Sequence, residues 1–261
     1  MKAPSISYAL FAATLIGIGA WGLVSGQLGA IFQPIPAAVP LHKALAYLCA
    51  AVALATGAGL LLQRTAAPAA RLLLGYLVLW CLLSKAPALV HTPREAAVWE
   101  SAGESVVVIA AALAVYAGAA DAWDRRRLGF LAGDSGIGVA RALYGLALIA
   151  FGVAHLAYVK LTASLVPAWL PGHVVWVYLT AIAYIAAGLA VLTGVQARVA
   201  ALLAALQMGV FTILVWAPPI AGGSKDASVW SEAVISWTLT IAGWVVAESL
   251  RSEARRARGR R

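Results

Sequence analysis

Five ionisable side chains fall inside segments that are otherwise almost purely apolar: Lys85, Glu100, Glu104, His155 and Glu232. Placing such a group in a hydrocarbon environment costs free energy that ordinary packing avoids, so each is a candidate functional residue. Amine, imidazole and carboxyl groups form hydrogen bonds and exchange protons. Together they could bind a carbonyl-bearing ligand and deliver protons to it.

Helical geometry predicts that these groups lie at a similar depth. At about 1.5 Å per residue, His155 and Lys85 each lie roughly 21 Å from the arginine near the start of their apolar segment. In a hydrocarbon core about 30 Å thick this is the outer third, and Glu104 and Glu232 fall in the same layer. Glu100 and Glu104 share a helical face, where like charges repel. We therefore expect at least one of them to be protonated or paired, with Lys85 as the candidate partner.

We predict that these groups line one polar pocket near the outer face. The predicted ligand-binding residues are Lys85, Glu100, Glu104, His155, Tyr158, Trp169, His173, Trp230 and Glu232. Two alternatives remain open. The ionisable groups could neutralise one another, bond to a neighbouring helix or extend to the surface. The tryptophans could belong to an interfacial aromatic belt, which needs no ligand.

The composition indicates an integral membrane protein. Of the 261 residues, 63% are hydrophobic and 11% are charged, and the mean hydropathy is +0.89. The net charge of +9 comes from cations at the ends of apolar segments and in the C-terminal tail, so anionic lipids rather than nucleic acid are the expected partners. No dinucleotide, phosphate-loop, nucleophile-elbow or zinc-protease motif is present, and no metal site is predicted. Three of the four histidines lie in loops or at helix ends, which argues against b-type haem.

Eight apolar windows predict an all-α polytopic protein. The expected transmembrane helices are at about residues 6–28, 42–62, 69–90, 98–119, 139–159, 173–194, 198–217 and 230–249. Of the 19 basic residues, 14 fall on one side of these spans and 5 on the other. The positive-inside rule therefore predicts that both termini are cytoplasmic.

An internal repeat covers most of the chain. A shift of 131 residues superposes Pro36 on Pro167 and Trp99 on Trp230, among other matches. The repeat predicts two tandem four-helix bundles that face the same way, related by a pseudo-twofold axis along the membrane normal. The expected division is 1–120 for the first unit, 121–138 for a cytoplasmic connector, 139–250 for the second unit and 251–261 for a basic cytoplasmic tail.

The ionisable residues of the predicted pocket are not duplicated by this repeat. The aligned pairs are Lys85 with Trp216, Glu104 with Ile235, Glu232 with Ser101, and His155 with about Ser25 after a one-residue slip. A symmetric scaffold with one asymmetric polar patch is the expected result.

The second unit resembles the DoxX-like family of small bacterial membrane proteins. The resemblance is carried by the helix YGLALIAFGVAH at 144–155, the loop VPAWLPGH at 166–173, the segment GLAVL at 188–192 and the closing WSE at 230–232. It implies a four-helix membrane bundle, duplicated here with a more diverged first unit, in the bacterial cytoplasmic membrane. Some relatives are named as the membrane subunit of a thiosulfate:quinone oxidoreductase, and others are associated with redox-stress proteins.

Two functions are compatible with these patterns and a third is disfavoured, and the sequence leaves open whether the chain is an enzyme. The first is a quinone-interacting membrane subunit of a redox complex, with a redox protein as its partner. In this function we expect His155 or Lys85 to bond a quinone carbonyl and Glu104 or Glu232 to transfer protons. Trp169 and Trp230 would flank the quinone ring. The second is a non-catalytic scaffold or small-molecule carrier that recruits redox partners. A transporter is disfavoured because the inner half of every span is almost purely apolar.

Overall fold

The computed structural model describes residues 5–26 and 40–259, with side chains described as far as residue 250. Throughout these ranges the regular structure is helical. Eight helices are long and apolar enough to cross a membrane. The all-α prediction and the eight membrane-length helices are thus confirmed for the described part of the chain.

The long helices are interrupted by short ones at the end of the bundle that holds Lys85. In chain order the elements are α1 (Ile6–Ser25), α2 (His42–Leu61), α3 (Ala66–Ser84), α4 (Ala86–His91), α5 (Ala96–Ala119), α6 (Ala122–Arg127), a 3₁₀ turn (Gly129–Leu131), α7 (Gly133–Ala157), α8 (Val159–Leu165), α9 (His173–Thr193), α10 (Ala197–Phe211), a π segment (Thr212–Trp216), α11 (Ala217–Ala221) and α12 (Ala227–Gly259). The membrane-length spans pass through two of these breaks, at Ala66–His91 and Ala197–Ala221. Proline occupies the second position of both α4 and α11, where its missing N–H prevents the preceding helix from simply continuing.

Helices α5 and α12 form the centre of the bundle. In their membrane-length windows 72% and 61% of residues are buried, against 17% for Ala66–His91 and 22% for Ala197–Ala221. Helix α5 packs against α3, α7 and α12, while α12 also packs against α1 and α10. A polar side chain on α5 therefore faces other helices on most sides.

The helix boundaries recur with the spacing of the sequence repeat. Four helices begin 131 residues after a counterpart: His173 after His42, Ala197 after Ala66, Ala217 after Ala86 and Ala227 after Ala96. The residue before the first pair has a left-handed backbone in both places, Leu41 with φ 59° and Gly172 with φ 68°. The repeated sequence is thus accompanied by repeated local structure, although Pro36 in the first loop lies outside the described residues.

Close glycine contacts fix the register of the first helix of each predicted unit. A Cβ on Gly57 would lie 2.7 Å from the Ala12 carbonyl oxygen, and a Cβ on Gly188 would lie 2.7 Å from that of Gly145. In the same way, a Cβ on Gly19 of α1 would clash with the Ala50 carbonyl oxygen of α2. A Cβ on Gly152 of α7 would clash with the Ala181 carbonyl oxygen of α9. By these contacts, each residue of α1 corresponds structurally to the residue of α7 that lies 133 positions later in the chain.

The expected match of His155 with about Ser25 is therefore wrong in register. At a shift of 133 the counterpart of His155 is Gly22, a buried small residue on α1. The error arose because the chain between the first and second helices differs in length between the two halves. Identical residues alone therefore do not give the correct alignment of the first helix. The conclusion that His155 has no ionisable counterpart is unaffected.

The connector after α5 is held by a buried carboxylate. Asp124 is fully buried and accepts hydrogen bonds from Arg71 Nε at 2.8 Å, the Tyr116 hydroxyl at 2.9 Å and the Asp121 amide at 3.0 Å. Arg71 also lies 4.4 Å from the centre of the Trp123 ring. Burial alone would raise the pKa of Asp124, but these donors outweigh burial and lower the pKa to about 2. The network fastens α6 to α3 and α5.

Candidate functional site

Lys85 lies at the break between α3 and α4, and the bundle buries it. The residue is 5% exposed, and its Nζ donates a hydrogen bond to Ser101 Oγ on α5 at 2.7 Å. The Ala86–Pro87 sequence ends α3 at Ser84 and starts α4 immediately afterwards. The break places the lysine side chain between α3 and α5 instead of extending it along a continuous helix.

Three carboxyl groups are connected to this ammonium group, one of them directly and two of them through Glu104. Glu104 is within electrostatic range of Lys85, Glu100 and Glu232. Glu100 and Glu104 are partly buried on α5, whereas Glu232 is exposed on α12. Among the described side chains, no ion pair within 4.0 Å joins Lys85 to any of these carboxylates. We call these four residues together with Ser101 the acid–lysine cluster.

His155 lies on α7 and presents one ring nitrogen away from its own helix. Its Nδ1 is 2.9 Å from the Phe151 carbonyl oxygen, which can only accept, so Nδ1 carries the proton of this bond. Nε2 is then left as the nitrogen that can meet a ligand. The imidazole packs against Tyr184 of α9, with ring centres 5.4 Å apart at 67°.

Tyr184 links His155 to the acid–lysine cluster. Its ring also packs edge-on against Phe151, with centres 5.9 Å apart, and the residue is in electrostatic range of Glu100. Next to it, the Gln207 amide donates to the Thr180 carbonyl oxygen at 3.2 Å. The structure therefore adds Tyr184 and Ser101 to the candidate site. A tyrosine inside an apolar span whose hydroxyl requires a partner was the available sequence signal for Tyr184.

The remaining predicted site residues make other contacts. The Tyr158 hydroxyl accepts from the Ala97 amide at 3.3 Å and lies 3.4 Å from Glu95 Oε2. Trp230 Nε1 donates to the Ser224 carbonyl oxygen at 2.9 Å, as Trp99 Nε1 does to Pro93 131 residues earlier. Trp169 is 71% exposed, and His173 is the first residue of α9. For these four predicted residues no described contact reaches the acid–lysine cluster.

The site is suited to hydrogen bonding and proton exchange. It offers one ammonium group, one imidazole nitrogen, two hydroxyl groups and three carboxyl groups within a helical bundle. Within the described residues, no three histidine, cysteine, aspartate or glutamate side chains are close enough to hold a metal ion. A ligand here would be bound by hydrogen bonds and charge.

Comparison with known proteins gives one family and no named activity. Residues 144–244 match a family described as Domain of unknown function (DUF8561). Neither a curated protein nor a solved structure matches the chain. The matched segment contains His155, Tyr184 and Glu232 but not Lys85, Glu100 or Glu104.

Proposed function

We propose that this chain is a quinone-interacting subunit of a membrane redox complex, with the acid–lysine cluster as its headgroup site. The observation that carries the proposal is the burial of Lys85, 5% exposed, in electrostatic range of Glu104, which is itself in range of Glu100 and Glu232. One ammonium group cannot balance three carboxylates, so the site holds exchangeable protons when no cation is bound. Reduction of a quinone to a quinol consumes two electrons and two protons, and a partner redox protein would supply the electrons.

The contacts suggest how a headgroup would be held. Lys85 can donate a hydrogen bond to a quinone carbonyl oxygen, whereas His155 Nε2, unprotonated while Nδ1 donates to Phe151, can accept one from a quinol hydroxyl. Glu104 is the proposed proton donor, because Glu100 and Glu232 both lie within its electrostatic range and like charges disfavour a further carboxylate. Tyr184 supplies the aromatic surface beside His155, a role that the sequence had assigned to Trp169 and Trp230.

The tandem arrangement and the relationship to the DoxX-like family belong to the same proposal. The repeated helix starts, the matching glycine contacts and the two tryptophan hydrogen bonds support a duplicated four-helix unit. In each predicted unit the first helix packs along the second, and the last packs against the other unit's first helix. We further propose a bacterial cytoplasmic membrane location with both termini cytoplasmic, which the distribution of basic residues supports.

Titration of the purified protein with short-chain ubiquinone and menaquinone analogues tests this function. Saturable binding that weakens in His155→Ala, with His42→Ala as a matched control, is the expected result. When an added chemical reductant supplies the two electrons, proton uptake on quinol formation should slow in Glu104→Gln but not in Glu95→Gln. If neither quinone class binds, or both histidine variants bind equally well, the headgroup site is not here.

A scaffold or small-molecule carrier is the second candidate. It is favoured by Trp169, whose indole is 71% exposed in the loop between α8 and α9, where a protein partner could reach it. In that case Trp169→Ala would reduce the recovery of a co-purifying redox protein and leave quinone affinity unchanged. Loss of quinone binding in the acid–lysine cluster variants alone would favour the first candidate.

A further inference from the structure

A second polar site lies at the opposite end of the bundle from the acid–lysine cluster. Where α1 and α10 begin and the buried part of α12 ends, a cavity of about 240 Å³ opens between the three helices. Its lining residues are Ser5, Ile6, Arg198, Leu202, Trp244 and Glu248. We call it the α1–α10–α12 cavity.

The cavity contains one charge of each sign, and the two charges are not paired with each other. Arg198 is exposed, and Glu248 is partly buried and accepts a hydrogen bond from the Ser7 hydroxyl. Among the described side chains no ion pair within 4.0 Å joins Arg198 to Glu248. The space between them therefore suits a ligand that carries both a negative and a positive group.

The backbone adds to the anion-binding side. Gln196, the residue that caps α10 beside Arg198, makes no side-chain capping hydrogen bond. Free N–H groups in the first turn of a helix carry partial positive charge and favour phosphate groups. On the other side, the indole of Trp244 and the carboxylate of Glu248 favour an ammonium group.

We propose that the α1–α10–α12 cavity binds the headgroup of an aminophospholipid, with the phosphate at Arg198 and the ammonium group at Glu248. Its position at the ends of membrane-length helices is the level at which headgroups lie, and Ile6 with Leu202 provides apolar surface for the start of the acyl chains. Phosphatidylglycerol lacks the ammonium group, and phosphatidylcholine lacks N–H donors for the carboxylate. The cavity therefore selects phosphatidylethanolamine over both.

Native mass spectrometry after exchange into mixed micelles tests the site. With equal amounts of phosphatidylethanolamine, phosphatidylglycerol and phosphatidylcholine, we expect one phosphatidylethanolamine molecule to be retained preferentially. Arg198→Gln and Glu248→Gln should each reduce its retention about tenfold, the size expected when one charge-assisted hydrogen bond is lost. Arg64→Gln makes the same charge change in the turn between α2 and α3 and should leave retention unchanged.

A cavity-filling variant keeps the test independent of the charged residues. Leu202→Trp should abolish lipid retention while the thermal unfolding temperature without added lipid stays close to that of the wild type. Equal retention of the three lipids would overturn the proposal, and so would loss of lipid in Arg64→Gln to the same extent. Displacement of the lipid by millimolar free phosphoethanolamine would show a soluble ligand and would also overturn it.

Discussion

Acidification is expected to destabilise the protein through Asp124, and the size of the effect follows from its surroundings. The carboxyl is fully buried among three hydrogen-bond donors, and its pKa is lowered from 3.8 to about 2. At about 1.36 kcal/mol per pKa unit this difference corresponds to about 2.4 kcal/mol. Because the Arg71 side chain is 34% exposed, solvent screening of that partner reduces the contribution to about 1–2 kcal/mol. Because the pKa is lower in the folded state, this stability is present above about pH 4 and is lost as the pH falls towards 2.

Thermal unfolding in an uncharged detergent between pH 6 and pH 3 measures this contribution. Asp124→Asn should be less stable than the wild type at pH 6 by about 1–2 kcal/mol, and the difference should shrink as the pH falls. Arg71→Leu should cost more, about 2–4 kcal/mol at pH 6, because it leaves a buried carboxylate without its cation. Asp134→Asn is the control and should keep the wild-type dependence on pH. If Asp124→Asn loses stability with pH as steeply as the wild type, the explanation from Asp124 is wrong.

Two further predictions concern packing. Gly188→Ala should destabilise the protein by about 1–3 kcal/mol, because the added Cβ would lie 2.7 Å from the Gly145 carbonyl oxygen. Gly17→Ala should be neutral or stabilising, because its added Cβ would have nothing within 4 Å. Equal unfolding temperatures for the two variants would contradict this. Tyr144→Phe should stabilise the protein by up to about 1 kcal/mol in chemical unfolding, because the buried Tyr144 hydroxyl has no hydrogen-bond partner among the described residues. A clear loss of stability would indicate a partner for that hydroxyl.

Hydropathy alone was sufficient to place the membrane helices. The predicted windows agree with the observed helices within a few residues, except that α7 begins at Gly133 and not near residue 139, and α12 continues to Gly259 instead of ending near residue 249. Residues 133–138 contain Asp134 and mostly small residues, so an apolar window misses them although their backbone is helical.

The site itself could be predicted only in part. Charge inside an apolar span identified Lys85 and Glu104, because desolvation makes such residues conspicuous in any sequence. Tyr184 and Ser101 are not conspicuous, since both types occur in ordinary membrane helices, and only the packing of α9 on α7 and of α3 on α5 gives them their contacts. The register of α1 against α2 is set by the close approach of Gly19 to Ala50 and of Gly57 to Ala12.

The affinity of a quinone analogue for Lys85→Met and Lys43→Met, measured side by side, tests the central claim most directly. Methionine keeps much of the length of the lysine side chain and removes the ammonium group, so a headgroup bonded at Lys85 should bind about tenfold or more weakly. Lys43, in the first turn of α2, should be replaceable without effect. Equal affinity for both variants, with both folded, would contradict the account of the acid–lysine cluster as a quinone site.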